Sequence, residues 1–143
     1  MNTPPAVYTK FGMTLAFAEL ALTEMLHDHL AERDTKPETW YALRLIAARG
    51  PSAPREELVE DLDRSHNVAA PAAELLDRLE GEGVIRGDGE VDLTDSGETL
   101  YGELRAYVLG ATVQLLDQFE IEDIETTVRT LQAITERAKE VVP

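Results

Sequence analysis

The stretch EELVEDLDRSHNVAAPAAELLDRLEGEGVIRGDGEVDLTDSGETLY, residues 56–101, decides the fold. Leu58, Val59 and Leu62 recur at helical spacing, which predicts a short helix with one apolar face. Residues 63–67 read as a turn, rich in short polar side chains that bond their own backbone. Val68, Ala72, Leu75, Leu76 and Leu79 mark the inner face of a second helix over 67–79. Pro71 fits only its first turn, because an interior proline removes a hydrogen bond and clashes with the turn before it. Gly81 and Gly83 close that helix. Val84-Ile85-Arg86 and Glu90-Val91-Asp92-Leu93 are short strand candidates, and Gly87-Asp88-Gly89 supplies a tight turn between them. Thr94 or Asp95 caps a further helix, with Glu98 near its positive end. Helix, turn, helix, Gly-rich hairpin and helix is the order of a winged helix.

Charge runs against the usual use of such a module, which is to bind DNA. Residues 51–100 hold four basic side chains, Arg55, Arg64, Arg78 and Arg86, against fourteen acids. The segment therefore carries −10 of a chain total of −15. A surface of that sign repels phosphate at long range.

Outward from the module, both flanks are helical. Phe11, Leu15, Ala18, Leu22, Met25 or Leu26, and His29 or Leu30 step by three and four, giving a broad apolar face. Met1 to Pro5 reads as a loose leader, and Asp34-Thr35-Lys36-Pro37 breaks the first helix. The next begins near Glu38, with Trp40, Leu43, Ile46 and Ala47 inward, and Gly50-Pro51 ends it. Ser52 or Ala53 then precedes Pro54, a good first-turn residue. After the hairpin, Leu100, Leu104, Val108, Ala111, Leu115 and Phe119 continue a helical period. Residues 120–123 break it, and Ile124, Val128, Leu131, Ile134 and Ala138 carry a last helix. These flanks hold more apolar stripe than one small module can cover, so their default use is to pack on each other and on a second copy. The expected fold class is mainly α, an α+β winged helix. Its helix-turn-helix module spans residues 38–97, with the wing at 84–93. Dimerisation helices at 11–33 and 98–142 flank it within a single domain of residues 1–143.

The chain has 143 residues, 43% of them hydrophobic, and no cysteine. That excludes disulfides and thiolate zinc sites and fits a cytoplasmic protein. No apolar run approaches membrane-spanning length, and Glu19 and Glu24 interrupt the N-terminal stretch. Arginine outnumbers lysine ten to three, as expected of a GC-rich genome or of work at high salt. Neither a Gly-x-Ser-x-Gly elbow, a phosphate-binding glycine loop nor a His-Glu-x-x-His helix is present, so no enzyme is expected. His27 and His29 lie two apart on a helix and point to nearly opposite sides, so no metal site is expected. No cofactor is implied.

The chain resembles the MarR-type (multiple-antibiotic-resistance-regulator) transcriptional regulators from about residue 12 to residue 138. The pieces that carry the resemblance are Thr39-Trp40-Tyr41-Ala42-Leu43 and Glu57-Leu58-Val59-Glu60-Asp61-Leu62. To these add Leu75-Leu76-Asp77-Arg78-Leu79-Glu80, then Gly83-Val84-Ile85, and Leu93-Thr94 with Gly97, Leu100 and Tyr101. Their order and spacing matter more than any one piece. The resemblance implies a homodimer with interlocked terminal helices. The second helix of the helix-turn-helix would enter the major groove of duplex DNA and the wing would touch the minor groove. A small phenolic or lipophilic ligand would sit between the two parts.

On this sequence the DNA-binding candidates are Arg64, Ser65, His66, Asn67, Ala70 and Arg86. Ser65, His66 and Asn67 serve equally well as a helix cap. An alanine offers thymine a methyl contact but no hydrogen bond. Arg78 is spaced to pair with Glu74 or Glu82 instead. The ligand-binding candidates are Phe11, Trp40, Tyr41 and Arg44, which double as plain core residues. The sequence departs from the family at Glu74, where an arginine is common, and at the wing tip Gly87-Asp88-Gly89. Those departures motivate a second expectation: the fold is kept, DNA binding is lost, and the acidic module meets a basic protein partner. Such a protein would be an antirepressor, a DNA mimic or half of a heterodimer.

Overall fold

The computed structural model describes residues 3–65, 68 and 71–141. Contacts divide the chain into two compact units, Met1–Val108 and Leu109–Pro143. The first unit contains α1 (Ala6–Ala31), α2 (Pro37–Arg49), β1 (Ala53–Pro54), α3 (Arg55–Arg64) and α4 (Ala72–Gly81), followed by β2 (Ile85–Arg86) and β3 (Glu90–Leu93). Helix α5 (Asp95–Leu116) begins in it and ends in the second unit, which also holds α6 (Ile121–Val141). None of the described helices is long and apolar enough to cross a membrane.

One core serves the first unit. Leu30 of α1, Leu43 and Ile46 of α2, and Leu58 of α3 are all but fully buried. Leu75, Leu76 and Leu79 of α4, Ile85 and Val91 of the sheet, and Leu104 of α5 complete it. Each buried leucine contributes roughly 1.5–3 kcal/mol relative to exposure. The inner faces expected for α2 through α5 from helical spacing are therefore the faces the fold uses.

The sheet has three antiparallel strands in the order β1-β3-β2. Ile85 faces Leu93 and Arg86 faces Asp92 across the wing, while Ala53 faces Val91 across the outer pair. Gly87 turns the hairpin at φ 104, where a Cβ would lie 1.8 Å from the Glu90 carbonyl oxygen, so only glycine fits. Gly97 lets α5 approach the wing: a Cβ there would sit 1.9 Å from the Val84 carbonyl oxygen. Thr94 fixes the same junction, accepting the Gly97 N–H at 3.0 Å and donating to the Gly83 carbonyl at 2.6 Å.

Three boundaries differ from the sequence reading, each for a local reason. Strand β1 was not expected, because two residues carry no periodicity. Pro54 belongs to it at a sheet edge, where its missing N–H costs nothing, and α3 starts one residue later. The Arg55 N–H donates to the Gly89 carbonyl at 2.9 Å and ties that start to the wing. Helix α4 starts at Ala72 rather than 67, with Pro71 just outside it. Proline pushes the residue before it out of helical geometry, and Val68 is not helical. Helix α6 starts at Ile121, inside the expected break. Glu122 and Asp123 suit the positive end of its first turn, and the Ile124 N–H already reaches the Glu120 carbonyl at 3.2 Å.

The second unit is helical throughout its regular structure and has no buried residue among those described. Ala111, Thr112, Leu115, Leu116, Ile124 and Leu131 are half-covered. Val128 and Ile134, on the same stripe of α6, are exposed. The first part of α1 is similarly bare: Val7, Tyr8, Phe11, Met13, Leu15 and Phe17 are all exposed.

Candidate nucleic-acid interface

The core fixes which side of α4 looks outward. With Ala72, Leu75, Leu76 and Leu79 buried, the opposite face presents Ala73, Glu74, Asp77 and Glu80. Its start is held by Asp63 at the end of α3, whose carboxylate accepts the Ala72 N–H at 3.1 Å. By sequence Asp63 belongs to the turn after the first short helix. A cap nine residues upstream has no local signature, so only the folded geometry shows it.

Four arginines of the first unit are already engaged with acids. Arg49 bridges Glu57 at 3.3 Å and also pairs with Asp61. Arg55 reaches across from α3 to Asp77 at 2.6 Å. Arg64 lies 3.7 Å from Asp61 and 3.9 Å from Glu60. Arg78 pairs with Glu82 at 3.0 Å, the partner expected one helical turn on, and also donates to the Thr39 hydroxyl at 3.0 Å.

The strengths of these pairs differ. Arg64 is 75% exposed and its contacts are long, so it is worth well under 1 kcal/mol and is easily diverted to a phosphate. Arg86, exposed at the wing, has no ion pair or side-chain hydrogen bond among the described residues. Ser65 follows α3 and has a bonded partner. His66, Asn67 and Ala70 lie outside the described residues. The fold thus places Arg64 and Arg86 on the same module, one at the end of α3 and one on β2.

The ligand candidates divide. Trp40, Tyr41 and Arg44 come together on α2, with the Arg44 guanidinium 5.8 Å from the Trp40 ring and 5.3 Å from the Tyr41 ring. Trp40 stacks on Tyr101 of α5 at 5.9 Å. Its Nε1 is buried without a hydrogen-bond partner among the described residues, a donor left unused at a cost of about 1–3 kcal/mol. The Tyr41 hydroxyl bonds His27 Nε2 at 3.2 Å. Burial pushes the Tyr41 phenol above its ordinary range, with Glu19 adding to the shift and Arg44 opposing it. Phe11 does not join them within one chain. Sixteen residues of helix separate it from His27, roughly 24 Å at 1.5 Å per residue.

His27 and His29 do diverge, as their spacing requires. His29 stacks on Tyr107 of α5 at 3.8 Å, and its Nε2 contacts the Tyr107 carbonyl at 2.9 Å. The Tyr107 hydroxyl returns a bond to the His29 carbonyl at 2.7 Å, and Arg33 covers the other side of its ring. This clasp fastens the end of α1 to α5.

No family model matches the chain, and no curated protein matches it. Solved structures do. A MarR family protein from Bacillus stearothermophilus aligns with a TM-score of 0.77 at 17% identity, over 96% of this chain and 99% of its own. A Mycobacterium tuberculosis MarR family protein in complex with DNA aligns at 0.68 and 21% identity, over 92% and 98%. CouR from Rhodococcus jostii, bound to p-coumaroyl-CoA, aligns at 0.70 and 16% identity, over 92% and 95%. The chain has the MarR-type winged-helix fold along nearly its whole length.

Proposed function

We propose that this protein is a MarR-type transcriptional regulator, a cytoplasmic homodimer that binds duplex DNA and is not an enzyme. The observation that carries the reading is the winged helix itself: α4 capped and seated by its core face, with a hairpin wing beside it. Helix α4 would lie in the major groove and the wing against the minor groove. Arg86 and Arg64 would meet phosphates or base edges, aided by Ser65, His66, Asn67 and Ala70. The exposed stripes of α1 and α6 would form the dimer. A small lipophilic ligand would settle against Trp40, Tyr41 and Arg44, with the idle Trp40 N–H donating to it and the partner's helices closing the site. Acidity alone does not forbid DNA binding, because charges are screened beyond roughly 10 Å at 0.1 M salt.

The outward acids Glu74, Asp77 and Glu80 favour a second reading, a basic protein partner in place of DNA. Fluorescence anisotropy with the upstream DNA of the protein's own gene, over a salt series, separates the two. Binding that weakens with salt is expected, with a slope reduced by about one for each Arg86 phosphate contact removed in Arg86→Ala. Binding at no salt concentration would sink the DNA reading and leave the protein partner.

A further inference from the structure

A cleft of about 470 Å³ opens between the end of α2, the wing and the start of α5. It lies apart from the Trp40, Tyr41 and Arg44 group, though Tyr101 belongs to its wall. Ala47 and Leu93 supply apolar surface over the buried Ile46, while Arg86, Asp92 and Glu98 supply charge. The size falls within the range of small-molecule sites, about 300–1,000 Å³.

The charges in it are unusual in what they do not do. Arg86 and Asp92 are directly opposite on β2 and β3, a placement in which unlike charges ordinarily pair. Here the Asp92 carboxylate turns instead to Ser52, accepting its N–H and lying 3.5 Å from its hydroxyl. Ser52 holds φ 61, a left-handed conformation that costs a residue with a side chain. Asp92 is thus occupied and Arg86 is left over. Glu98, exposed on the first turn of α5, likewise has no hydrogen bond or ion pair to its carboxylate among the described residues. The cleft therefore offers a cation and an anion without ion-pair partners among the described residues, the anion at the positive end of α5, and an apolar wall. Helix α2 ends at the cleft, and its last carbonyls add partial negative charge on that side.

Those features select a ligand class. A simple anion would satisfy Arg86 but face Glu98 and Asp92. A simple amine would satisfy Glu98 but face Arg86. We propose that the cleft binds a small zwitterion with an apolar side chain, the class of the apolar α-amino acids. Arg86 takes the carboxylate, Glu98 and the end of α2 take the ammonium, and the side chain rests on Ala47, Leu93 and Tyr101. This goes beyond the DNA reading and does not need it. Where that reading also holds, the ligand draws Arg86 from phosphate and loosens the wing from DNA.

The test is calorimetric titration of the full chain with no DNA present. The probes are L-leucine and L-phenylalanine, with isocaproate and isoamylamine as the two halves of leucine. At least one amino acid is expected to bind saturably and roughly tenfold tighter than either half. That ratio corresponds to about 1.4 kcal/mol, the lower end for a hydrogen bond to a charged group. Glu98→Gln, an isosteric change, and Arg86→Gln, a shortening at an exposed position, should each weaken it by a similar factor while circular dichroism shows an unchanged fold. Saturable binding by neither amino acid overturns the proposal. So does equal binding of isocaproate or isoamylamine, or undiminished binding in both variants. Because DNA is absent, failure here leaves the DNA reading standing, and failure of DNA binding leaves this one standing.

Discussion

Helices α4 and α6 make the same kind of promise in sequence and keep it differently. Both carry a continuous apolar stripe at helical spacing against a strongly charged face. Helix α4 buries its stripe at Ala72, Leu75, Leu76 and Leu79 within ten residues. Helix α6, at twice that length, has no buried residue. Periodicity therefore reports that a face wants cover, but not whether the same chain supplies it. Helix α1 shows both behaviours in one element, bare at Val7 to Phe17 and sealed at Leu30. Uncovered apolar area on this scale destabilises a lone chain in water, which is the physical ground for proposing a second copy.

The widest gap between the two helices should appear on truncating a leucine in each. Leu76→Ala removes a fully buried side chain, with an expected loss of about 2–5 kcal/mol of unfolding free energy. Leu131→Ala, on the half-covered stripe of α6, should cost less than half as much in the dilute chain. Urea denaturation of both variants reads the difference directly. Equal losses would mean that α6 is as well covered as α4, and the contrast would collapse.

A second substitution pair sharpens the same point by leaving the core alone. Val128→Asp with Ile134→Asp places two charges on exposed positions of α6. Far-UV circular dichroism should change little, because neither residue belongs to the buried core of the described structure. Light scattering coupled to gel filtration should shift from dimer to monomer, since a dimer interface does not tolerate unpaired buried charge. A variant that stays dimeric would place the interface elsewhere, on the bare half of α1.

What the sequence disclosed follows from the range of the interactions involved. The α4 face, the wing and the end of α2 at Gly50 are local patterns and were readable. The Arg78–Glu82 pair was readable because helical geometry alone brings it together. The Arg55–Asp77 bridge, the Asp63 cap and the diversion of Asp92 to Ser52 were not. Each joins residues 9 to 40 positions apart, and nothing in the intervening sequence encodes their meeting. Arg86 is a contact candidate by sequence, but what keeps it available is hidden for the same reason. Its nominal partner stands opposite it, and only the loop at Ser52 shows that the partner is taken. At the Trp40 group, the α2 residues lie near one another in sequence and come together, whereas Phe11 sits too far along α1 to join them in one chain.

The smallest effect sought lies at the inner end of α1, where its bare half gives way to the sealed one. There the Tyr41 hydroxyl meets His27, and burial raises the Tyr41 phenol above its ordinary value. A phenol held protonated more tightly in the folded state stabilises that state fully below its unfolded value of about 10. The contribution is lost as pH rises through the folded value. Stability should therefore fall above about pH 10. Burial, and then a hydrogen bond to Glu32, raises Tyr107 in the same direction, so two groups share the slope. Tyr41→Phe deletes one of them and should make the urea midpoint fall less steeply from about pH 9 to about pH 11. At neutral pH it should cost only about 0.5–1.5 kcal/mol for the lost hydrogen bond. An unchanged alkaline slope would show that water reaches Tyr41 in the folded protein, and the seal at the end of α1 would have to be placed nearer Leu30.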